Sequence, residues 1–218
     1  MQVDYEKDEY HETRHSELLG NDELMNAWSE CASKFYFKDI KPEDSIFEFG
    51  GAFGYNLRNA LKTNTCTMLE LSALGRSIGE KSGIRSVSKL EELENAKFDV
   101  ILCRHVLEHV DSPLTILNDL RNHLTPKGRL ILVLPVEGNG DLPVQNEIDF
   151  HLYLWNPRTI SNLAKRAGFS DVQFRYNYFN GRRVCLPIFR KFGGAAYSKA
   201  IQMVGLVSRS KELILECR

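Results

Sequence analysis

The chain has 218 residues, of which 43% are hydrophobic and 26% charged, and its formal net charge at pH 7 is -1. Such a chain is long enough for one domain with a sizeable core, and its near-neutral charge gives no indication of a nucleic-acid-binding protein. Five scattered cysteines without a C-x-x-C pair argue against a disulfide framework, and no apolar run reaches the roughly 18 residues of a membrane span. With an acidic start in place of a signal peptide, we expect a cytoplasmic protein with reduced thiols.

The chain begins with a predicted helical segment and continues as an alternation of strands and helices. Residues 1–44, centred on "NDELMNAWSECASKFYF", are predicted to form a helical appendage or lid, and residues 45–218 the main domain. The predicted strands are "SIFEF" (45–49), "CTMLEL" (66–71), "IRSV" (84–87), "FDVILC" (98–103) and "GRLILVLPV" (128–136). The predicted helices are "YNLRNALKT" (55–63), "SALGRSIGEKS" (72–82), "SPLTILNDLRNHL" (112–124) and "NPRTISNLAKRAGF" (156–169). Nearly all-apolar strands that alternate with helices indicate a doubly wound, mostly parallel sheet.

The end of the chain departs from this alternation. "DVQFRYNYF" (171–179) and "ELILECR" (212–218) are both strand-like and predict an antiparallel pair at one edge of a seven-stranded sheet. The insert between them, residues 179–210, contains the amphipathic stretch "AAYSKAIQMVGLV" (195–207), which predicts a helix. The basic residues after Phe174 are either an ordinary solvated face or a rim that attracts an anionic acceptor.

A glycine-rich turn follows the first strand in "IFEFGGAFG" (46–54). Gly50 and Gly51 allow the backbone to approach a ligand closely, and Gly54 permits tight packing where the next element begins. The spacing fails the dinucleotide fingerprint G-x-G-x-x-G, and the G-K-[ST] of a P-loop is absent, so an NAD-dependent oxidoreductase and a P-loop enzyme are disfavoured. What remains is E-x-G-x-x-x-G, with Glu48 near the end of the strand.

Glu70 ends the next predicted strand, in "TMLELS". A carboxylate at the carboxyl edge of a parallel sheet can accept hydrogen bonds from both hydroxyls of a ribose. Taken by itself, the residue is equally an ordinary surface glutamate. The glycine-rich turn one strand earlier favours the nucleoside-binding interpretation.

The stretch "CRHVLEHV" (103–110) contains H-x-x-E-H, which matches a zinc-peptidase pattern. In such a peptidase both histidines lie on one helix, one turn apart. Here His105 directly follows a buried strand, and the next helix is predicted only at Ser112-Pro113. We therefore expect no metal site, with Glu108 and His109 bracing the turn by hydrogen bonds.

Three of these features resemble the class I S-adenosylmethionine (SAM)-dependent methyltransferases. They are the turn "EFGGAFG", in which Ala52 replaces the middle glycine of [DE]-x-G-x-G-x-G, the acid Glu70, and the run "KFDVILCRHVLEHVDSPLTILNDLRNHLTPKGRLILVLP" (97–135). The resemblance extends from Ser45 to Phe174 and is closest to the ubiquinone-biosynthesis-like and glycan-cluster small-molecule methyltransferases. It implies a Rossmann-like α/β fold and SAM as the cofactor.

The resemblance also implies a set of cofactor-binding residues. Glu70 would bind the ribose, Leu71 would pack on the ribose or adenine, and the end of the fourth strand would border the methionine part. The adenine amino group would lie near "SVSKLEEL", where Glu91 would supply the missing acid. The residues assigned to the cofactor are Glu48, Gly50, Gly51, Ala52, Gly54, Asn56, Glu70, Leu71, Ser88, Lys89, Arg104 and His105.

The function implied is methyl transfer to a small-molecule acceptor, with an oxygen nucleophile on a metabolite or sugar expected. Methylation of an oxygen acceptor benefits from a general base, and His105 and His151 are the first candidates. His11 and His15 of the N-terminal segment are the second candidates. The alternative is a non-catalytic SAM-fold subunit that serves a partner protein. A possibly anionic acceptor is the expected partner, with no nucleic acid; the sequence does not fix the oligomeric state, and a homodimer stays one option.

Overall fold

The computed structural model describes residues 7–136 and 150–218, apart from the side chain of residue 11. Within these ranges a single sheet contains seven strands in the order β3-β2-β1-β4-β5-β7-β6. The strands are β1 (Ser45–Phe49), β2 (Thr65–Leu69), β3 (Arg85–Val87), β4 (Phe98–Arg104), β5 (Leu124–Pro135), β6 (Val172–Tyr178) and β7 (Lys211–Cys217). The strands β1 to β5 pair in parallel, whereas β7 is antiparallel to both β5 and β6. The predicted fold, including the antiparallel edge pair, is confirmed.

The strand order reverses between β1 and β4, which are neighbours in the sheet. In open α/β sheets, ligands bind outside the carboxyl ends of the strands at such a switch point. Phe49 at the end of β1 pairs with Leu69 of β2 on one side and with Cys103 of β4 on the other. The residues that follow these three strands therefore meet at one edge, and we call it the switch edge.

Helices cover both faces of the sheet. They are α1 (Asp8–Arg14), α2 (Asp22–Phe35), α3 (Ala73–Lys81), α4 (Pro113–Asn122), α5 (Pro157–Arg166) and α6 (Leu186–Ser208). One cluster of buried side chains packs α2 and α6 against one face of the sheet. A second cluster packs α4 and α5 against the opposite face. Burial on both faces explains why the parallel strands are almost wholly apolar.

The segment 55–63, predicted as a helix, forms turns and only a short 3-10 helix at Ala60–Lys62. Hydrogen bonds to α2 compete with helix formation here. The hydroxyl of Ser29 donates to the carbonyl of Asn56 at 3.4 Å and accepts from the main-chain N–H of Asn59 at 2.6 Å. This tertiary pairing takes main-chain groups that a helix would use, so periodicity alone gave the wrong prediction.

The helix α6 is longer than the predicted stretch 195–207. It begins at Leu186 and contains a kink at Gly193, whose φ of 74° is outside the helical region. Glycine adopts this conformation without the steric cost that a side chain would add. Because the kink interrupts the periodic pattern, the sequence indicated only the second half of the helix.

The described part of the N-terminal region shares its core with the sheet. Eight residues of α2 are buried, and the apolar ones lie in the same cluster as Ile46 of β1 and Leu102 of β4. The division into residues 1–44 and 45–218 stays a prediction. Among the described residues, no helix has the length and apolar character needed to cross a membrane.

Candidate cofactor and acceptor site

The glycine-rich turn lies at the switch edge, directly after β1. The main-chain N–H groups of Gly50 and Gly51 both donate to the carbonyl of Leu69 at 2.9 Å. Gly50 has a φ of 79°, and a Cβ added there would overlap the Val106 side chain that follows β4. A Cβ at Gly51 would come within 2.7 Å of the Met68 side chain. The two glycines thus let the turn pack tightly between the ends of β2 and β4.

Ala52 occupies the position of the middle glycine with a φ of 47°. This left-handed conformation favours glycine, and an alanine there carries some steric cost. The Ala52 N–H donates to Oε2 of Glu70 at 2.7 Å. The turn therefore keeps the conformation that a glycine motif requires. In this conformation the N–H of Ala52 points at the carboxylate of Glu70, directly after β2.

Glu70 is held at the switch edge by main-chain donors. Besides the bond from Ala52, its Oε1 accepts from the N–H of Ser72 at 2.9 Å, and the residue is only 5% exposed. A Cβ at Gly75 would come within 2.8 Å of Cγ of Glu70, so a glycine is needed where α3 passes this side chain. These contacts fix the carboxylate beside the glycine-rich turn.

Glu48 is fully buried in β1, and its surroundings bear on cofactor fit. Its Oε1 accepts from Nδ2 of Asn56 at 2.5 Å, and Oδ1 of Asn56 accepts from Nε1 of Trp28 at 2.7 Å. Within the described residues, its Oε2 has no hydrogen-bond partner. Burial raises the pKa of Glu48 to about 8, although the bond from Asn56 acts in the opposite direction. A nearby positive charge favours the ionised form of such a buried carboxyl, so the position fits a cationic group, and SAM carries both an ammonium and a sulfonium.

A buried polar network, here called the Arg104 cluster, joins Tyr36, Arg104, Asn177 and Glu212. Tyr36 Oη donates to Glu212 Oε1 at 2.5 Å, and Asn177 Nδ2 donates to the same oxygen at 2.8 Å. Arg104 donates from Nε to Tyr36 Oη at 3.0 Å, and its Nη2 lies 3.4 Å from Glu212 Oε2. The cluster fixes Arg104, the last residue of β4, against the antiparallel strand β7.

Aromatic rings and charge reinforce the Arg104 cluster. The guanidinium carbon of Arg104 lies 5.2 Å from the ring centre of Trp28 and 5.9 Å from that of Phe179, within cation-π range. Burial alone would raise the pKa of Glu212, but Arg104, His105 and the hydrogen bonds lower it to about 2. The buried glutamate is therefore ionised and pairs with a buried cation.

His105 follows β4 with a φ of 53°, a strained backbone for a histidine. Its Nε2 lies 3.4 Å from Glu212 Oε2, and its Nδ1 lies 3.7 Å from Glu108 Oε1. Burial lowers the pKa of His105, and the positive charge of Arg104 lowers it further. The side chain is still 34% exposed, so solvent or a bound molecule can reach it.

The structure brings some of the sequence-predicted residues together and leaves others apart. The turn from Gly50 to Gly54 contacts Glu70 through Ala52 and the end of β4 through Val106. Ser88 donates to Glu92 at 2.6 Å, and Lys89 is exposed, so neither shows a contact with the turn. Leu71 follows Glu70 with 43% of its surface exposed, an open apolar side chain beside the carboxylate.

His151 lies next to the turn that follows β4. Its ring centre is 4.8 Å from that of His109, and its charge contributes to the pKa of His105. Leu152 and Leu154 are 47% and 55% exposed, whereas the side chains alternating with them are half-buried. His151 therefore lies near His105, although it belongs to the segment that leads into α5, after β5 in the chain.

The N-terminal residues contact the same edge of the sheet. Oδ1 of Asp8 accepts from the hydroxyl of Ser72 at 2.7 Å and from the N–H of Leu74 at 3.1 Å. The ring of His15 lies 5.8 Å from Phe53 and 5.9 Å from Tyr55. The side chain of His11 lies outside the described residues. These contacts place α1 beside the glycine-rich turn and the start of α3.

Sequence reasoning missed Tyr36, Asn177 and Glu212, which support the end of β4. One signal for Glu212 was present: three apolar residues directly follow it in a strand-like run, where a buried acid requires a partner. Tyr36 and Asn177 gave no such signal. Their partners lie 176 and 35 residues away along the chain, and no local pattern reports that pairing.

The comparisons with known proteins agree with this fold. A family model described as "Methyltransferase domain" matches residues 23–173. Phosphoethanolamine N-methyltransferase 2 of Haemonchus contortus, solved with S-adenosylhomocysteine, has a TM-score of 0.66 at 15% identity, covering 99% of this chain and 60% of that chain. A Thermotoga maritima SAM-dependent methyltransferase, a possible histamine N-methyltransferase, has a TM-score of 0.63 at 17% identity, covering 96% and 97%.

A curated relative matches part of the chain. The tRNA U34 carboxymethyltransferase of Nautilia profundicola is 35% identical over an alignment of 83 residues, and the match covers 36% of this chain and 28% of that protein. The chain thus spans about a quarter of the length of this relative. Since the family match covers more than half of the chain, it decides the assignment: the chain belongs to the methyltransferase domain family.

Proposed function

We propose that this chain transfers the methyl group of SAM to an oxygen atom of a small-molecule acceptor. The observation that supports an oxygen acceptor is the presence of two imidazoles, His105 and His151, beside the same carboxylate, Glu108, after the end of β4. An acceptor hydroxyl has to lose its proton during methylation, and an imidazole suits that task near neutral pH. The half-buried position of both rings lets an acceptor reach them.

The residues proposed to bind SAM are the ones grouped around the glycine-rich turn. Glu70, held by the N–H groups of Ala52 and Ser72, is proposed to accept the ribose hydroxyls, and Leu71 to cover the adjacent ring. Oε2 of Glu48, which has no hydrogen-bond partner among the residues that the structure describes, is proposed to receive the amino group of the methionine part. When bound, SAM supplies a methyl group on a sulfonium, which is already an activated leaving group. Ser88 and Lys89 are proposed to lie on the adenine side of the cofactor.

The work of the protein is then mostly positioning and exclusion of water. The Arg104 cluster fixes the end of β4 and thereby the strained backbone of His105. From this position His105 accepts the proton that the acceptor hydroxyl loses, with His151 as the second candidate. Glu212, at 3.4 Å from Nε2 of His105, orients the imidazole and stabilises the charge that it gains.

Replacement of Glu70 by alanine is expected to weaken SAM binding by about 1–3 kcal/mol, since bonds from the ribose to a charged acceptor are lost. Isothermal titration calorimetry with SAM and S-adenosylhomocysteine measures the effect. The exposed Glu80 of α3 provides the control, and Glu80→Ala should bind as the unchanged protein does. Absence of binding by the folded unchanged protein at millimolar ligand would refute the cofactor site. Equal binding by Glu70→Ala would remove only the role of Glu70.

Replacement of His105 by asparagine is expected to lower turnover by about 10²–10⁴-fold, the usual contribution of a general base. Asparagine tolerates the left-handed backbone at this position, so the fold should be retained. Steady-state kinetics on a panel of hydroxylated metabolites should show the loss in kcat, with the calorimetric affinity for SAM little changed. His151→Ala, tested in parallel, decides between the two candidates. Full activity in both variants would exclude a histidine base and favour an acceptor atom that needs none.

A nucleic acid is the second acceptor class, and the partial match to a tRNA-modifying enzyme is the observation in its favour. The charges favour a small molecule. In the basic stretch at residues 175–194, Arg182 pairs with Glu17 at 2.5 Å and Arg190 with Glu23 at 2.7 Å, so two of its five positive charges are already compensated. Turnover on tRNA but on none of the hydroxylated metabolites would reverse this choice.

We also propose a cytoplasmic location. All five cysteines are buried and unpaired by disulfides, which supports a reducing, cytoplasmic location. The alternative of a non-catalytic subunit predicts SAM binding without turnover on any acceptor, together with stable co-purification of another protein. A sedimentation measurement on the same preparation would decide whether the chain forms a homodimer.

A further inference from the structure

One glutamate and two histidines converge beside the switch edge. Glu108, His109 and His151, here called the Glu108 triad, each offer one ligand atom, and these atoms all lie within 4.8 Å of one another. We propose that the Glu108 triad binds one divalent transition-metal ion of the zinc type. The proposal replaces the expectation of no metal, which rested on comparison with a site on a single helix.

The spacing of the triad needs only a small adjustment. Ligand atoms that bind one tetrahedral ion at about 2.1 Å lie roughly 3.4 Å apart. A separation of 4.8 Å or less therefore closes by a movement on the order of 1 Å, shared between two side chains. The imidazole rings already lie 4.8 Å apart with an angle of 59° between their planes. Rotation about the side-chain bonds provides such a movement without a change in the backbone.

The backbone holds the two parts of the triad together. Glu108 and His109 are consecutive in the turn between β4 and α4, whereas His151 comes from the segment that leads to α5. The N–H of Leu152 donates to the carbonyl of Glu108 at 2.7 Å, and the hydroxyl of Tyr153 donates to the carbonyl of Asp111 at 2.9 Å. These two bonds fix the position of His151 relative to the turn, as a metal site requires.

The donor set indicates the class of metal. Two imidazoles with one carboxylate suit zinc, manganese, iron and cobalt, whereas magnesium and calcium prefer oxygen ligands alone. Glu108 is fully buried, and a buried carboxylate is stabilised strongly by a nearby cation. His109 and His151 are half-buried, so an ion can enter from solvent and keep positions for a further ligand.

The location of the triad connects it to methyl transfer, and this consequence rests on the proposed function. Oε1 of Glu108 lies 3.7 Å from Nδ1 of His105, so a bound ion would lie close to the candidate base. A metal-bound hydroxyl loses its proton more readily than a free one. The ion would therefore position an acceptor oxygen and lower its pKa. Binding of the ion itself requires neither the cofactor nor the acceptor.

Titration of the metal-free full-length protein tests the proposal without SAM. After chelator treatment and dialysis, calorimetry with Zn²⁺ and Mn²⁺ and absorption spectroscopy with Co²⁺ should each show one saturable site per chain. His109→Ala and His151→Ala should each weaken binding tenfold or more. The matched control is His123→Ala, because His123 is also half-buried and bonds the carbonyl of Ala96. Circular dichroism confirms that the variants are folded.

Two outcomes would overturn the proposal: no saturable binding of any of the three ions, or equal binding by the unchanged protein and both triad variants. Failure of the metal site and failure of the proposed function are distinguishable. Metal binding with no affinity for SAM would refute the cofactor site alone. SAM binding and turnover by a protein that shows no saturable binding of any of the three ions would refute the metal site alone.

Discussion

Replacement of Glu212 by alanine is expected to destabilise the protein by about 3–5 kcal/mol, because it leaves the buried Arg104 guanidinium without its carboxylate. Glu212 is 1% exposed and accepts hydrogen bonds from Tyr36 and Asn177. Removal of the carboxylate therefore leaves two neutral donors and one cation unsatisfied at once. This is the largest effect of a single substitution that we expect on folding.

Urea unfolding at pH 7 measures the loss, and Glu216→Ala is the control. Glu216 lies on the same strand, is partly exposed, and pairs with Arg129 at 3.5 Å and Arg218 at 3.4 Å. The pair with Arg218 is solvent-exposed, and such pairs contribute about 0–1 kcal/mol, so Glu216→Ala should cost less than Glu212→Ala. Since the folded-state pKa of Glu212 is lowered to about 2, its contribution is complete above pH 4.5 and declines as the pH falls toward 2. Equal losses of stability in Glu212→Ala and Glu216→Ala would contradict the network. A loss in Glu212→Ala that stays the same as the pH falls toward 2 would contradict it as well.

Replacement of Glu48 by glutamine is expected to stabilise the protein increasingly as the pH rises. The folded-state pKa of Glu48 is raised to about 8 by burial, whereas its ordinary value is 4.5. Between these values the folded state retains a proton that the unfolded state has lost, so stability falls with rising pH. The slope approaches about 1.4 kcal/mol per pH unit in this window. Glutamine has no such proton and keeps the acceptor for Asn56, so the slope should disappear.

Urea unfolding of Glu48→Gln and the unchanged protein at pH 5, 7 and 8.5 measures this difference. The exposed Glu80→Gln serves as the control and should leave the profile as it is. The difference between Glu48→Gln and the unchanged protein should grow from pH 5 to 8.5 and then level off. Parallel profiles would show that Glu48 is ionised in the folded protein. The same variant should bind SAM more weakly if Glu48 receives the amino group of the cofactor.

The fold could be predicted from the sequence because its information is local. Each parallel strand is a short apolar run, and each following helix has its own periodicity and cap, as at Asn156, which accepts from the N–H groups of Arg158 and Thr159. The segment 55–63 was the exception, because hydrogen bonds to α2 decide its conformation. Propensity yields to tertiary contacts where main-chain groups find partners elsewhere.

The candidate site was predictable only where it is built from strand ends. The glycine-rich turn, Glu70 and the end of β4 follow predicted strands, so their meeting at one edge follows from the topology. Glu108 and His151 lie 43 residues apart in the sequence, and spacing along the chain does not report that their ligand atoms lie within 4.8 Å of each other. The position of Glu212 depends on the antiparallel register of β7, in which Glu212 pairs with Pro135 of β5 and Asn177 of β6.

The helix α2 has a consequence for how this protein can change in evolution. Its Trp28 packs in the core, bonds the asparagine that holds Glu48, and lies against the guanidinium of Arg104. One indole is therefore constrained by folding, by the proposed cofactor acid and by the end of β4 together. A substitution there alters three environments at once, so it is tolerated only if compensating changes arise in separate parts of the chain. We therefore expect few amino-acid substitutions among related chains on the buried face of α2, and more on its solvent-exposed face.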